Sequence, residues 1–195
     1  MEDKGKRVVV IAGPGGSGKD ALARALVKRY SNLTMLVSAT TRPRRPTEIE
    51  GVNYYFMTNE RFQEELAAGN ILEHYHRAET DTYYGTYKPD IEKRLESGKI
   101  VVCQIQFVGA QYLKEHYGAT TFFIIPASLE NLERRIRARA PISDVEWEER
   151  KRFTQHELAE EAPWYDYRIR NDDGKLDEAV DNVAEILQRE GYQLE

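Results

Sequence analysis

The sequence predicts an α/β fold: a parallel β-sheet core flanked by helices, with a small subdomain of mixed short strands inserted into it. Three observations carry this. Short β-branched apolar runs alternate with amphipathic segments along the chain. The first apolar run passes through a glycine-rich loop directly into a helical pattern. Residues 40–86 break the alternation with several short strand-like segments in succession.

Arg7 to Ala12 is a β-branched run ending at glycines, which predicts a buried parallel strand. Lys19 to Tyr30 places Leu22, Ala25, Leu26 and Tyr30 at helical spacing. Leu33 to Ser38 reads as a second strand, Thr40 to Gly51 as an extended loop, and Val52 to Met57 as an alternating strand. Glu60 to Ala68 reads as a helix stopped by Gly69-Asn70. Ile71 to Ala78 and Thr82 to Thr86 are two further strands, and Asp90 to Glu96 is a helix. Ile100 to Ile105 and Thr120 to Ile125 are buried strands, with a helix from Gly109 to Tyr117 between them. Leu129 to Arg139 and Glu146 to Glu161 read as charged helices interrupted at Pro141. Tyr165 to Ile169 is a last strand, and Leu176 to Arg189 an amphipathic helix.

The 195 residues suit one domain with small insertions, and 41% hydrophobic residues suffice for one sizeable core. Lys+Arg is 28 against Asp+Glu 33, a net charge of -5, which argues against a broad surface for duplex nucleic acid. The single cysteine, Cys103, excludes a disulfide framework or a Cys-rich zinc site and reads as a small core residue. No apolar run approaches the roughly 18 residues of a spanning helix. The charged start Met1 to Arg7 lacks the apolar stretch of a signal peptide. A cytoplasmic protein with no membrane partner is expected, as a monomer or homodimer.

The chemistry concentrates in two places. Gly13, Gly15, Gly16, Ser17, Gly18 and Lys19 form a phosphate-binding loop between strand and helix. Such glycines let backbone N–H groups turn onto a phosphate, the helix N-terminus adds favourable partial charge, and Lys19 reaches the β- and γ-phosphates. The motif's closing hydroxyl is missing, because Asp20-Ala21 follows. Asp20 reads either as a Mg²⁺ ligand or as a helix cap. The second place is Arg42-Pro43-Arg44-Arg45, with half of the 12 tyrosines nearby at 54, 55, 75, 83, 84 and 87. Arg forks and Tyr hydroxyls suit a phosphate monoester. The run Arg134 to Arg139 holds four arginines without an acid, and Arg135 and Arg139 share one helix face.

Nearly the whole chain resembles the guanylate kinases, enzymes of the P-loop kinase fold that phosphorylate GMP from ATP. The resemblance lies in the glycine loop, Ser38-Ala39-Thr40-Thr41-Arg42-Pro43, Glu48-x-x-Gly51-x-x-Tyr54-x-Phe56, Leu72-Glu73 and Tyr83-Tyr84-Gly85-Thr86. It continues through Ser128-Leu129-Glu130, Arg134-Arg135, Arg139, Arg150 and Asp166-Tyr167-x-Ile169-x-Asn171-Asp172-Asp173. It implies ATP as donor and Mg²⁺ as cofactor. Arg42, Arg45, Tyr54 and Tyr84 would hold the acceptor phosphate, and Ser38, Glu73 and Thr86 would face the guanine. Arg135, Arg139 and Arg150 would close on the transferring phosphoryl group, and Asn171 would lie near the donor adenine. A single domain is implied, with a core of 1–37, 87–133 and 156–195, an acceptor subdomain of 38–86 and a helical lid of 134–155.

Where the family carries Asp-Ile-Asp-x-Gln-Gly, this chain has Gln104-Ile105-Gln106-Phe107-Val108-Gly109. Gln104 brings no charge to a metal, and Gln106 can accept from or donate to a base, so a kinase of the same fold acting on an altered purine nucleotide is an alternative to one acting on GMP or dGMP. The loss of an acid at 104 and the gain of Asp20 read as linked, the metal ligand having moved to the helix start. A carboxylate after the loop lysine is also similar to the ribose 1,5-bisphosphate phosphokinases, whose acceptor has no base. The set Ser38, Glu73 and Thr86 argues against that alternative. A phosphopeptide-binding module of the same fold is the third possibility, against which stand Lys19 and the lid arginines.

Overall fold

The computed structural model describes residues 6–139 and 141–195. The segment Met1–Gly5, most of the charged start considered above, and Ala140 lie outside them. The main sheet joins β1 (Val8–Ala12), β2 (Leu33–Met35), β7 (Ile100–Cys103), β8 (Thr120–Pro126) and β9 (Tyr167–Asn171). All neighbours in it are parallel, in the order β2-β7-β1-β8-β9. A second sheet has the order β4-β3-β6-β5, from β3 (Ala39–Thr40), β4 (Tyr55–Phe56), β5 (Ile71–Arg77) and β6 (Thr82–Tyr87). Its β3–β4 pair is parallel and its other pairs are antiparallel.

The strand period of two sorts β1 onto both faces of the main sheet. Val9 and Ile11 join a cluster with Leu22, Leu26 and Val183, so α1 (Lys19–Arg29) and α7 (Leu176–Arg189) cover that face. Val8, Val10 and Ala12 join Ile91, Leu113 and Phe123, under α3 (Lys88–Glu96) and α4 (Phe107–Tyr117). Each fully buried Val or Ile stabilises the fold by about 1.5–3 kcal/mol. Cys103 lies in the second cluster, where burial pushes its thiol well up and leaves it an inert core residue. On the smaller sheet, Phe62 of α2 (Asn59–Ala67) packs against Ala39 and Ile71. Helices α5 (Leu129–Arg139) and α6 (Asp144–His156) follow β8, and α6 starts in a reciprocal capping box of Ser143 and Glu146.

Four segments depart from the sequence-based expectation. The strand expected over 33–38 ends at Met35, because the Val37 N–H donates to the Asp90 carboxylate at 2.8 Å instead of to a strand. The chain then enters the second sheet at Ala39. Of 52–57, only Tyr55–Phe56 pairs as a strand, after a turn at Gly51. The helix expected to run to Glu161 ends at His156, and Glu157–Glu161 forms a π-helical turn followed by a short 3₁₀ turn containing Pro163. The last strand begins at Tyr167, since Tyr165 turns into the core against Phe123. No helix among the described residues is long and apolar enough to cross a membrane.

Asp90 joins the two sheets. It is 1% exposed and takes the Val37 N–H, the Tyr55 hydroxyl at 2.8 Å and Arg94 Nε at 2.6 Å. Arg94 also reaches the Thr34 hydroxyl on β2. A buried charge is tolerated only when paired and hydrogen-bonded, and this one is.

Candidate active site

The carboxyl ends of β1 and β7 lie side by side at one edge of the parallel sheet, the usual ligand side of such sheets. From there β1 enters the glycine loop. A Cβ at Gly13, whose φ is 139°, would stand 2.6 Å from the Ile124 carbonyl oxygen. One at Gly18, φ 89°, would stand 2.2 Å from the Asn171 amide. Only glycine fits either position. Gly18 is the N-cap of α1 and has no side chain to satisfy the first-turn N–H groups, which are left for an anion.

Lys19 is the first residue of α1, and its ammonium lies over the loop, 3.5 Å from the Pro14 carbonyl oxygen. Ser17 is fully buried, and its hydroxyl has no partner among the described residues. Asp20 stands in the first turn and does not cap it. Its exposed carboxylate accepts from Gln104 Nε2 at 3.0 Å. No cluster of three or more His, Cys, Asp and Glu among the described residues forms a self-contained metal site. That donor set fits Mg²⁺ held beside nucleotide phosphates, which takes one or two carboxylates and completes its shell with phosphate and water oxygens.

Behind the loop, Asn171 is buried and donates to the Ser17 carbonyl oxygen at 2.9 Å. Arg135 donates to the Gly16 and Ser17 carbonyl oxygens, each at 3.3 Å, and pairs with Asp173 at 2.7 Å. Arg134 pairs with the same Asp173. Arg134 and Arg135 thus draw their acid from after β9, while Arg137 of the same run pairs with Glu133 and Asp144 at 2.9 and 2.7 Å.

A cleft of about 550 Å³ opens between the glycine loop and the second sheet. It is lined by Gly13, Gly15, Lys19, Ser38, Tyr54, Glu73, Tyr84, Thr86, Gln104 and Gln106. The structure thus brings most of the sequence-predicted acceptor residues to one wall and the loop lysine to the other. Arg42 stands beside that wall. Its guanidinium donates to both Glu48 oxygens at 2.9 and 2.7 Å, and lies 5.5 Å from the Tyr54 ring. Arg42 and the Arg45 N–H pull the Glu48 carboxyl down to about 2. The Arg45 side chain is exposed, as are Arg139 and Arg150. Arg135, Arg139, Arg150 and Asn171 do not line the cleft.

Glu73 reaches from β5 to the start of α4. One oxygen accepts from Gln106 N at 2.9 Å and the Thr86 hydroxyl at 3.3 Å, and the other from Gly109 N at 3.2 Å. Burial pushes its carboxyl up, and these donors offset part of that rise.

Sequence reasoning missed a third wall. Phe153 at the end of α6, Glu157 and Glu161 in the π-helical turn, and Tyr165 also line the cleft. Burial and the Glu161 charge push the Glu157 carboxyl up to about 7, against the pull of Lys19 and His156. Acids four apart, just before Ala162-Pro163, were the available signal, and the π-helical turn that aims them inward was not legible.

A family model described as guanylate kinase matches residues 5–190. A guanylate kinase of Thermosynechococcus vestitus is 41% identical over 168 residues, 86% of this chain and 86% of that protein. One of Rickettsia felis is 38% identical over 181 residues, 92% of each. The crystal structure of guanylate kinase from Anaplasma phagocytophilum has a TM-score of 0.65 to this fold at 26% identity, over 95% of this chain and 87% of that one. With a glycine loop and a second sheet facing each other across one cleft, and relatives matching along most of its length, the chain belongs to the guanylate kinase family.

Proposed function

We propose that this protein transfers the γ-phosphoryl group of ATP to GMP or dGMP, giving the nucleoside diphosphate and ADP. The observation that carries the reading is the shared cleft: Lys19 and the glycine loop on one side, Glu73, Tyr54 and Tyr84 on the other. The bond from the γ-phosphorus to its bridging oxygen breaks as one forms to an acceptor phosphate oxygen. Such a transfer needs positioning and neutralised charge more than covalent help.

The loop N–H groups and Lys19 bind the donor phosphates. The Arg42 fork, set by Glu48, binds the acceptor phosphate with Arg45, Tyr54 and Tyr84. Glu73 accepts from guanine N1–H and the exocyclic amine, with Ser38, Thr86 and Gln106 around the base. Adenine presents an acceptor at N1, which a carboxylate repels. Asp20, with Gln104 beside it, would hold Mg²⁺, which would neutralise phosphate charge. Arg135, Arg139 and Arg150 come onto the transferring group when residues 134–155 close, and Asn171 braces the loop on the adenine side. The expected compartment is the cytoplasm.

A coupled assay of ADP release tests this across GMP, dGMP, AMP, IMP, UMP and ribose phosphates. Turnover is expected with GMP and dGMP and not with UMP or the ribose phosphates. Turnover of a sugar phosphate without GMP would overturn the assignment.

A further inference from the structure

We infer that Gly109 is a positioning residue for base recognition: its missing side chain lets the Glu73 carboxylate dock on the start of α4. The inference rests on the reading of Glu73 as the guanine acceptor and adds what holds that acceptor in place. Gln106 is the N-cap of α4, yet its side chain makes no capping bond. The unclaimed N–H groups of Gln106 and Gly109 are taken by Glu73, at 2.9 and 3.2 Å. Glu73 belongs to the second sheet and α4 packs on the main sheet. The base acceptor is therefore anchored across the junction, to the core on which the glycine loop is built. Three donors occupy its oxygens in fixed directions, which leaves the carboxylate one pose in the cleft.

Gly109 makes that approach possible. A Cβ there would stand 2.8 Å from Glu73 Cδ, 2.8 Å from its Oε2 and 2.9 Å from Ile105 Cδ1. All three are ends of flexible side chains, so an added methyl displaces the carboxylate without breaking the backbone. Gly109 is the third residue of α4, with no positive φ. Alanine is compatible with that backbone and is the better helix former. The substitution therefore separates recognition from folding.

The experiment measures Gly109→Ala and Glu73→Gln with GMP, IMP and ATP, together with their melting temperatures. IMP lacks the exocyclic amine and so loses one bond to the acceptor. For Gly109→Ala, KM for GMP is expected to rise about tenfold, the worth of roughly one good hydrogen bond. Preference for GMP over IMP should shrink, KM for ATP should hold within about twofold, and the melting temperature should move by no more than a few degrees, because the better helix former offsets the lost cap bonds. Unchanged GMP preference in Gly109→Ala, with preference lost in Glu73→Gln, overturns the positioning role alone. Unchanged preference in Glu73→Gln overturns the base-reading role beneath it. A Gly109→Ala protein that does not fold also counts against the inference, which requires that only side-chain ends move.

Discussion

Gln104 at the end of β7 donates a 3.0 Å hydrogen bond to Asp20 at the start of α1, across 84 residues of sequence. A carboxylate only accepts, so the amide nitrogen faces it and the Gln104 carbonyl oxygen is left for another ligand. An acid at 104 would face Asp20 with like charge at the same distance. The two positions are thus a matched pair, with the one carboxylate at the helix start, where the helix dipole favours it.

Asp20→Asn should lower turnover roughly tenfold or more and raise the Mg²⁺ concentration for half-maximal rate. The double variant Asp20→Asn with Gln104→Asp should recover part of the loss, because it sets a carboxylate at the neighbouring strand end. Mg²⁺ titrations of the single and double variants read both effects. Full activity with unchanged Mg²⁺ dependence in Asp20→Asn would show that the carboxylate has no metal role.

Glu48 accepts from both terminal nitrogens of Arg42, which fixes the guanidinium, so under the proposed function a phosphate would meet it from its Nε edge. Glu48→Gln should raise KM for GMP several-fold with little change in kcat. The pair also gives a pH signature. The folded-state pKa of Glu48 is depressed to about 2, so its stabilisation is present above the ordinary carboxyl range and is lost as pH falls through that range toward 2. Melting curves between pH 2 and 5 should therefore be less steep in pH for Glu48→Gln than for the parent.

Glu157 runs in the opposite direction. Its folded-state pKa is raised to about 7, so the folded protein holds a proton that the unfolded chain releases near pH 4.5. Stability from this group is full below about 4.5, falls as pH rises, and is lost by about 7. Glu157→Gln should flatten that decline and be the more stable protein at pH 8, as read by melting temperature across the series.

The Asp90 junction should be the most sensitive polar position away from the cleft. Asp90→Ala leaves Arg94, Tyr55 and the Val37 N–H without their partner and should cost about 3–5 kcal/mol in urea unfolding. Tyr55→Phe removes one donor of three and should cost about 1 kcal/mol. Equal costs for the two would mean that Tyr55, not the carboxylate, organises the junction.

The glycine loop, Arg42, the tyrosines and the order of strands and helices were legible because each is written within a few adjacent residues. The alternation of Val8 to Ala12 and the helical stripe of α7 report burial directly, since strand and helix periods are local properties. The split of the strand at Met35 was not legible, because the group that captures the Val37 N–H is Asp90, 53 residues on. Nor was the inward turn of Glu157 and Glu161, which depends on a π-helical turn that no local period records.

By itself the sequence determined that a glycine loop, a set of arginines and tyrosines, and glutamines at 104 and 106 exist in one α/β chain. Only the tertiary structure decided what those parts do to one another. Parallel pairing of β1 with β7 sets Asp20 beside Gln104, and the packing of α4 against β5 gives Glu73 to the N–H groups of Gln106 and Gly109. The physical reason is that side-chain type and spacing are fixed along the chain, whereas a hydrogen bond depends on distance in space. That distance follows from which strands become neighbours.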